Sequence, residues 1–205
     1  MKHSLRAAVA ALVLLVAAPV AFAAPAKYTI DRTHSEIGFD VRHFFSKVHG
    51  RFGEFQGTIV FDADDPSKIT VDGTATTASV STDNEKRDAH LKTADFFDAE
   101  KFPSLTFKST KVTANGKNKY KIAGDLTLRG VTKAVVFDAE FLGAGDTGMG
   151  VKAGFTATTV ITRKDYGINW NTALDNGGMV LSDEVTRVIN LEANQVKEEA
   201  AVPKS

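Results

Sequence analysis

Apolar and polar side chains alternate with a period of two through most of this chain. From Ser35 to His43, the residues Ile37, Phe39, Val41 and His43 take turns with Glu36, Gly38, Asp40 and Arg42. The same beat runs through Leu105, Phe107 and Ser109, and through Tyr120, Ile122, Gly124, Leu126 and Leu128. It continues at Val131, Lys133, Val135, Phe137, Ala139 and Phe141, then at Val151, Ala153, Phe155, Ala157, Thr159 and Ile161. Val185, Arg187, Ile189, Leu191 and Ala193 close the series. Successive side chains of a strand point to opposite faces, so this pattern marks strands wetted on one side and buried on the other. Segments around 57–62 and 70–80 bring the number to about eight strands.

Turn chemistry separates these runs. Asn115-Gly116 is a two-residue hairpin signal, Arg129-Gly130 and the stretch from Gly143 to Gly148 read as turns, and Asp64-Asp65-Pro66-Ser67 reads as another. One segment breaks the alternation. Thr82-Asp83-Asn84-Glu85 has the form of a capping box, which places a short helix over the residues up to Lys92. Asp95-Phe96-Phe97-Asp98 follows as an irregular aromatic segment. Eight or so antiparallel strands with one helix and no internal repeat fit either a closed barrel or a sandwich.

The N-terminus reads as an export signal. Lys2 and Arg6 precede an apolar run from Ala7 to Val20, and Ala21-Phe22-Ala23 is a small-x-small cleavage site. Residues 1–23 are expected to be removed, leaving a single domain over 24–196 and a flexible tail over 197–205. Without Lys2 and Arg6 the chain keeps 23 basic side chains against 25 acidic ones. Near-neutrality argues against nucleic acid, which requires clustered cations, and against electrostatic docking on anionic lipid. The apolar run is too short for stable membrane insertion. Zero cysteines in an exported chain means no disulfides and no lipid anchor of the lipoprotein type.

The inward positions leave the interior open to two descriptions. Gly124, Ala139, Ala153 and Ala157 are small, and Val71, Gly73, Ala75, Thr77 and Ser79 fill little space, whereas other inward positions carry phenylalanine. Small residues facing large ones either leave an elongated cavity or interdigitate into a solid core. No catalytic motif stands out. His34, His43, His49 and His90 have no metal-binding spacing, and His34-Ser35 are strand neighbours that face opposite ways. Arg87, Asp88 and His90 form a charged cluster on the helix, and Asn169-Trp170-Asn171 with Asn176-Gly177-Gly178 belong to a loop.

Several segments, in order, carry a resemblance. They are Tyr28-Thr29-Ile30-Asp31, His34-Ser35-x-Ile37-x-Phe39-x-Val41-x-His43, Gly50-Arg51-Phe52 and Phe55-Gln56-Gly57. Arg87-Asp88-x-His90-Leu91, Asp95-Phe96-Phe97-Asp98 and Phe102-Pro103 come next. The last are Gly124-Asp125-Leu126-Thr127-Leu128-x-Gly130-Val131-Thr132-Lys133 and Arg163-Lys164-Asp165-Tyr166-Gly167. The ordered set resembles the YceI-like, or polyisoprenoid-binding-like, family of bacterial periplasmic proteins.

That resemblance implies an all-β, lipocalin-like eight-stranded barrel that holds an isoprenoid quinone, a polyprenyl chain or a similar long-chain lipid. It implies no catalytic residue and no cofactor beyond the bound lipid. On it, a tunnel is expected along Phe39, Val41, Phe107, Phe155 and Ile161, with Phe96 and Phe97 closing one end. His43, Arg87, His90 and Trp170 are expected to meet a head group at the mouth. Two other functions stay open: a lipid-modifying enzyme using Asp88 and His90 as an acid/base pair, and a solid-core, stress-related partner-binding module. A homodimer is compatible with either.

Overall fold

The computed structural model describes residues 25–173 and 179–197. The expected signal peptide, the Asn176-Gly177-Gly178 stretch and the tail beyond Lys197 lie outside the described residues.

The described residues form eleven strands and one α-helix. In order they are β1 (Ala26–Ile30), β2 (Glu36–His43), β3 (Ser46–Phe52), β4 (Phe55–Phe61), β5 (Thr70–Thr76), β6 (Val80–Ser81) and α1 (Glu85–Leu91). Then come β7 (Ser104–Ala114), β8 (Lys119–Leu128), β9 (Val131–Asp146), β10 (Val151–Thr162) and β11 (Leu181–Gln195). Eight strands close a ring in the order β1-β4-β5-β7-β8-β9-β10-β11, and β11 pairs back to β1. Every pairing is antiparallel. The fold is thus the lipocalin-like barrel and not the sandwich. Beside the ring, β2, β3 and β6 extend the sheet from β11.

Closure depends on the length of β11. Its C-terminal residues Ala193 to Gln195 pair with β1, and its stretch from Val185 to Asn190 pairs with β2. Between β1 and β2 the chain turns through Arg32–His34, where the Asp31 side chain accepts from the Thr33 amide at 3.0 Å. Ser35 then exchanges hydrogen bonds with the Glu192 backbone at 2.9 and 3.0 Å. The two short strands thus share one long partner.

Alternation places the charges outside. Lys108 faces Asp125 across β7 and β8, and Lys121 pairs with Asp138 at 2.5 Å across β8 and β9. A membrane-spanning barrel carries an apolar outer band instead. None of the described helices is long and apolar enough to cross a membrane.

The structure corrects five local expectations. Strands β1 and β3 add to those legible from alternation, and the expected strand 70–80 is split by a 3-10 turn at Thr77–Ser79. The helix is capped by Asn84, which accepts from the Arg87 amide at 3.0 Å, and not by Thr82. Thr82 donates instead to Asp88, at 2.8 Å from its amide and 2.5 Å from its hydroxyl. Strand β9 runs on through Gly143 to Asp146, so the turn sits at 147–150. The Asn115-Gly116 loop holds four residues, 115–118, whereas Arg129-Gly130 is a true two-residue turn with φ of 50° and 72°.

Two glycines seat aromatic rings. A Cβ on Gly50 would enter the Phe39 ring, and one on Gly124 would lie 2.5 Å from both the Phe107 ring and the Lys108 carbonyl. These small residues are therefore filled by phenylalanine. Gly124→Ala is expected to lower stability by about 1–3 kcal/mol, as overpacking does, read as a lower urea midpoint with an unchanged slope.

His49 on β3 reaches across to β2, with Nδ1 2.9 Å from Asp40 and Nε2 3.4 Å from Glu36. The hydrogen bond to Asp40, aided by the charge of Glu36, raises its pKa above the ordinary 6.5. A raised folded value makes this stabilisation complete below pH 6.5, and it is lost as pH climbs through the raised value. Urea midpoints measured from pH 5.5 to 8 are expected to fall less steeply in His49→Gln than in the parent.

Candidate functional site

The barrel interior holds two cavities that share Arg187 in their walls. A first cavity of about 110 Å³ lies among β4, β5, β7, β8, β9 and β10, walled by residues such as Ile59, Val71, Leu105, Phe107, Leu126 and Phe155. A second of about 180 Å³ lies under α1, among Phe39, Val41, Leu128, Ile161, Leu181 and Val185. The inward residues of β11 trace the axis through both. Val185 lines the second cavity, Ile189 and Leu191 line the first, and Arg187 lines both. At roughly 3.4 Å per residue, Val185 to Leu191 spans about 20 Å.

Every residue expected along the tunnel or at its mouth lines one of these two spaces. Phe107 and Phe155 border the first cavity. Phe39, Val41, His43, Arg87, His90, Phe96, Phe97, Ile161 and Trp170 border the second. The aromatic side chains do more than line it. Phe39, Phe52 and Phe97 pack edge to face or tilted, with ring centres 5.6 to 6.2 Å apart. His90, Phe96 and Trp170 form a second triad with centres 5.0 to 5.2 Å apart. At the far end Phe155 packs on Phe61 and Phe141, both at 5.4 Å.

The polar residues of the mouth are partly engaged within the protein. Arg87 Nε donates to the Thr82 hydroxyl at 2.7 Å and its Nη2 to the Thr82 carbonyl at 2.8 Å. His90 Nε2 meets Asp95 at 2.8 Å. Asp88 is held by Thr82, so the pair Asp88/His90 considered for acid/base work is not formed. The reason is local: the side chain of Asp88 satisfies the chain entering the helix, and His90 packs between Phe96 and Trp170.

Asp31, His34 and Glu192 bring their ligand atoms within 4.8 Å of one another on the outer surface. Lys152 Nζ already sits among them, 3.1 Å from Asp31 and 2.5 Å from Glu192. Together with His34 it holds the Asp31 carboxyl well below the usual carboxylate range. This cluster already contains its cation.

Two arginines are buried inside, and they differ in their partners. Arg163 is 4 % exposed. It donates from Nε to the Ser182 carbonyl at 2.9 Å and from Nη1 to the carbonyls of Ile168 and Trp170 at 2.9 and 2.7 Å. Its Nη2 reaches Asp183 at 3.1 Å. Arg163 thereby fastens the loop bearing Trp170 to β11. Arg187 is 3 % exposed, and its Nε meets no acceptor. Among the described residues no carboxylate pairs with it, and its favourable contact is the face of Phe52, 5.7 Å from the guanidinium carbon. Burial pulls its pKa down to about 10, which leaves it a cation at neutral pH.

Arg187 is the interior residue that the alternation pattern alone did not single out. The signal was present: a charged side chain at an inward position between Val185 and Ile189. Period-2 patterning assigns a face without asking whether the residue belongs there.

These features define a closed antiparallel barrel with two apolar cavities that share a buried cation in their walls. The profile of the YceI-like domain matches residues 28–193, and the chain belongs to that family. A UPF0312 protein of Staphylococcus aureus strain N315 is 38% identical over 161 residues, covering 77% of this chain and 91% of the relative. One from Photorhabdus laumondii is 42% identical over 155 residues, covering 75% and 80%. Among solved structures, a YceI protein of Campylobacter jejuni superimposes with a TM-score of 0.67 at 35% identity, over 83% of this chain and 98% of that one. BcnA of Burkholderia cenocepacia, at 22% identity, shares the fold with a TM-score of 0.73, over 80% and 99%. A polyisoprenoid-binding domain from Saccharophagus degradans, at 16% identity, shares it with a TM-score of 0.61, over 82% and 98%.

Removing Arg163 strands three carbonyls that it now satisfies. Arg163→Met is expected to cost roughly 3 kcal/mol or more in denaturant unfolding, given about 1–3 kcal/mol for each unsatisfied buried group.

Proposed function

We propose that this protein is a non-catalytic container for a long-chain apolar lipid, such as an isoprenoid quinone, a polyprenyl chain or a fatty-acyl derivative. The observation that carries this reading is the pair of apolar cavities strung along β11 inside a closed barrel. Apolar chains gain roughly 25 cal/mol for each Å² removed from water, offset by the costs of association. An interior of phenylalanine, isoleucine and leucine supplies that surface. The polyisoprenoid-binding domain of Saccharophagus degradans, which shares the fold, supports the same ligand class.

In this proposal Phe39, Val41, Phe107, Phe155 and Ile161 line the path of the chain. Phe96 and Phe97, in the turn that follows α1, and Trp170, in the loop before β11, cover the end beneath which it passes. His43, Arg87 and His90 border the entrance. Export by the N-terminal signal places the protein in the periplasm, where it stores or carries the lipid between membranes, in ordinary growth or under stress.

Ala157 lines the first cavity on β10. Organic extraction of freshly purified protein, followed by mass spectrometry, is expected to release a long-chain lipid in near-stoichiometric amount. Ala157→Phe is expected to reduce that amount at least about tenfold, the effect of losing 1.4 kcal/mol or more of binding. A parent protein that yields no lipid and binds no added quinone, prenyl or acyl compound would overturn the container reading.

A further inference from the structure

We propose that Arg187 is a head-group site, and that the barrel takes a single-chain lipid whose acidic head, a carboxylate or a phosphate, lies buried at the waist between the two cavities. The proposal rests on the container reading above and adds the chemistry of the head and its place.

A guanidinium taken from water loses its hydration, and an interior position repays that loss only with a counter-charge or several acceptors. Arg163 shows how this barrel satisfies such a group, with three carbonyls and a carboxylate. Arg187 has none of these among the described residues, and the ring of Phe52 covers one of its faces. Phe52 is itself 1 % exposed, so the cation cannot swing past it to solvent. The Tyr166 phenol lies near enough to act on its charge but donates no counter-charge at neutral pH, and Arg187 lines both cavities.

The missing partner must therefore arrive with the ligand. An arginine fork matches two oxygens carried on one atom, which is the geometry of a carboxylate or a phosphate. An uncharged carbonyl or alcohol offers a single acceptor and leaves the buried charge uncompensated. The tail is accommodated by the first cavity, beyond Arg187, where Ile59, Phe61, Leu105 and Leu126 form the wall. From Arg187 the inward row of β11 runs on along the first cavity to Leu191, four residues or about 14 Å by strand rise. Arg87 and His90 border the passage that the head crosses and are not its resting place.

The full mature chain, stripped of lipid, is titrated calorimetrically with matched pairs: hexadecanoate against 1-hexadecanol, and farnesyl phosphate against farnesol. The parent protein is expected to bind the acid of at least one pair roughly 10- to 100-fold more tightly than its alcohol, as a charge-assisted hydrogen-bonded pair provides. Which pair shows the larger ratio identifies carboxylate or phosphate as the preferred head. Arg187→Met is expected to abolish the ratio while keeping the affinity for the alcohol, and the retained alcohol binding reports a folded barrel. Arg187→Lys, which keeps a charge without the fork, is expected to retain part of the ratio. Equal affinity of the parent for acid and alcohol, or an unchanged ratio in Arg187→Met, would overturn the head-group site while the container reading survives. Failure of the parent to bind any of the four compounds would overturn the head-group site, and the container reading falls with it if the parent also yields no lipid on extraction and binds no added quinone.

Discussion

Everything inside this protein depends on one strand being paired on both sides. β11 hydrogen-bonds to β10 along eleven residues, from Glu184 to Asn194. Its other edge is shared by two shorter strands, β2 at one end and β1 at the other. Without that second pairing the sheet would have two open edges, each a row of unpaired amides and carbonyls, and no enclosed space. With it, the interior becomes a closed volume whose contents are set by the inward residues of eight strands. The price of making one partner serve two strands is a break in the chain at Asp31–Ser35, repaired by the Asp31 side chain and the Ser35 hydroxyl.

Once the barrel is closed, its volume is partitioned by aromatic packing. Phenylalanine is too large for a strand partner with a Cβ at the closest positions, so Gly50 and Gly124 stand where the rings of Phe39 and Phe107 lie. The rings then bunch into groups, one beneath α1 and one around Phe61, Phe141 and Phe155. Space survives between the groups, not along a single smooth bore. Small residues and large ones thus do both things that alternation allows. They interdigitate at the glycines and leave room along Val71, Gly73 and Ala157.

The fold was legible where the period-2 signal ran long and uninterrupted, as in β8, β10 and β11. It was not legible in β1, only five residues long, or in β3, where Gly50 breaks the apolar row. Thr82 and Asn84 both satisfy the local N-cap rule, and the engagement of Thr82 by Asp88 leaves Asn84 to cap the helix. The lining residues were legible because inward alternation and cavity lining follow the same geometry. Which of them carry polar interactions was not, since Arg87 and His90 turn to Thr82 and Asp95 through contacts that spacing does not encode.

Arginines 163 and 187 make that last limit concrete. Both line the cavity under α1, and both are buried almost completely. One sits where a 3-10 turn and a loop present carbonyls edge-on, and its charge serves to hold the loop carrying Trp170. The other projects from mid-strand, where neighbouring backbone groups are already used in the ladder to β2 and β10. A strand interior has no free carbonyl to offer, so a cation placed there is unsatisfied by construction. Alternation turns it inward and closure keeps it there.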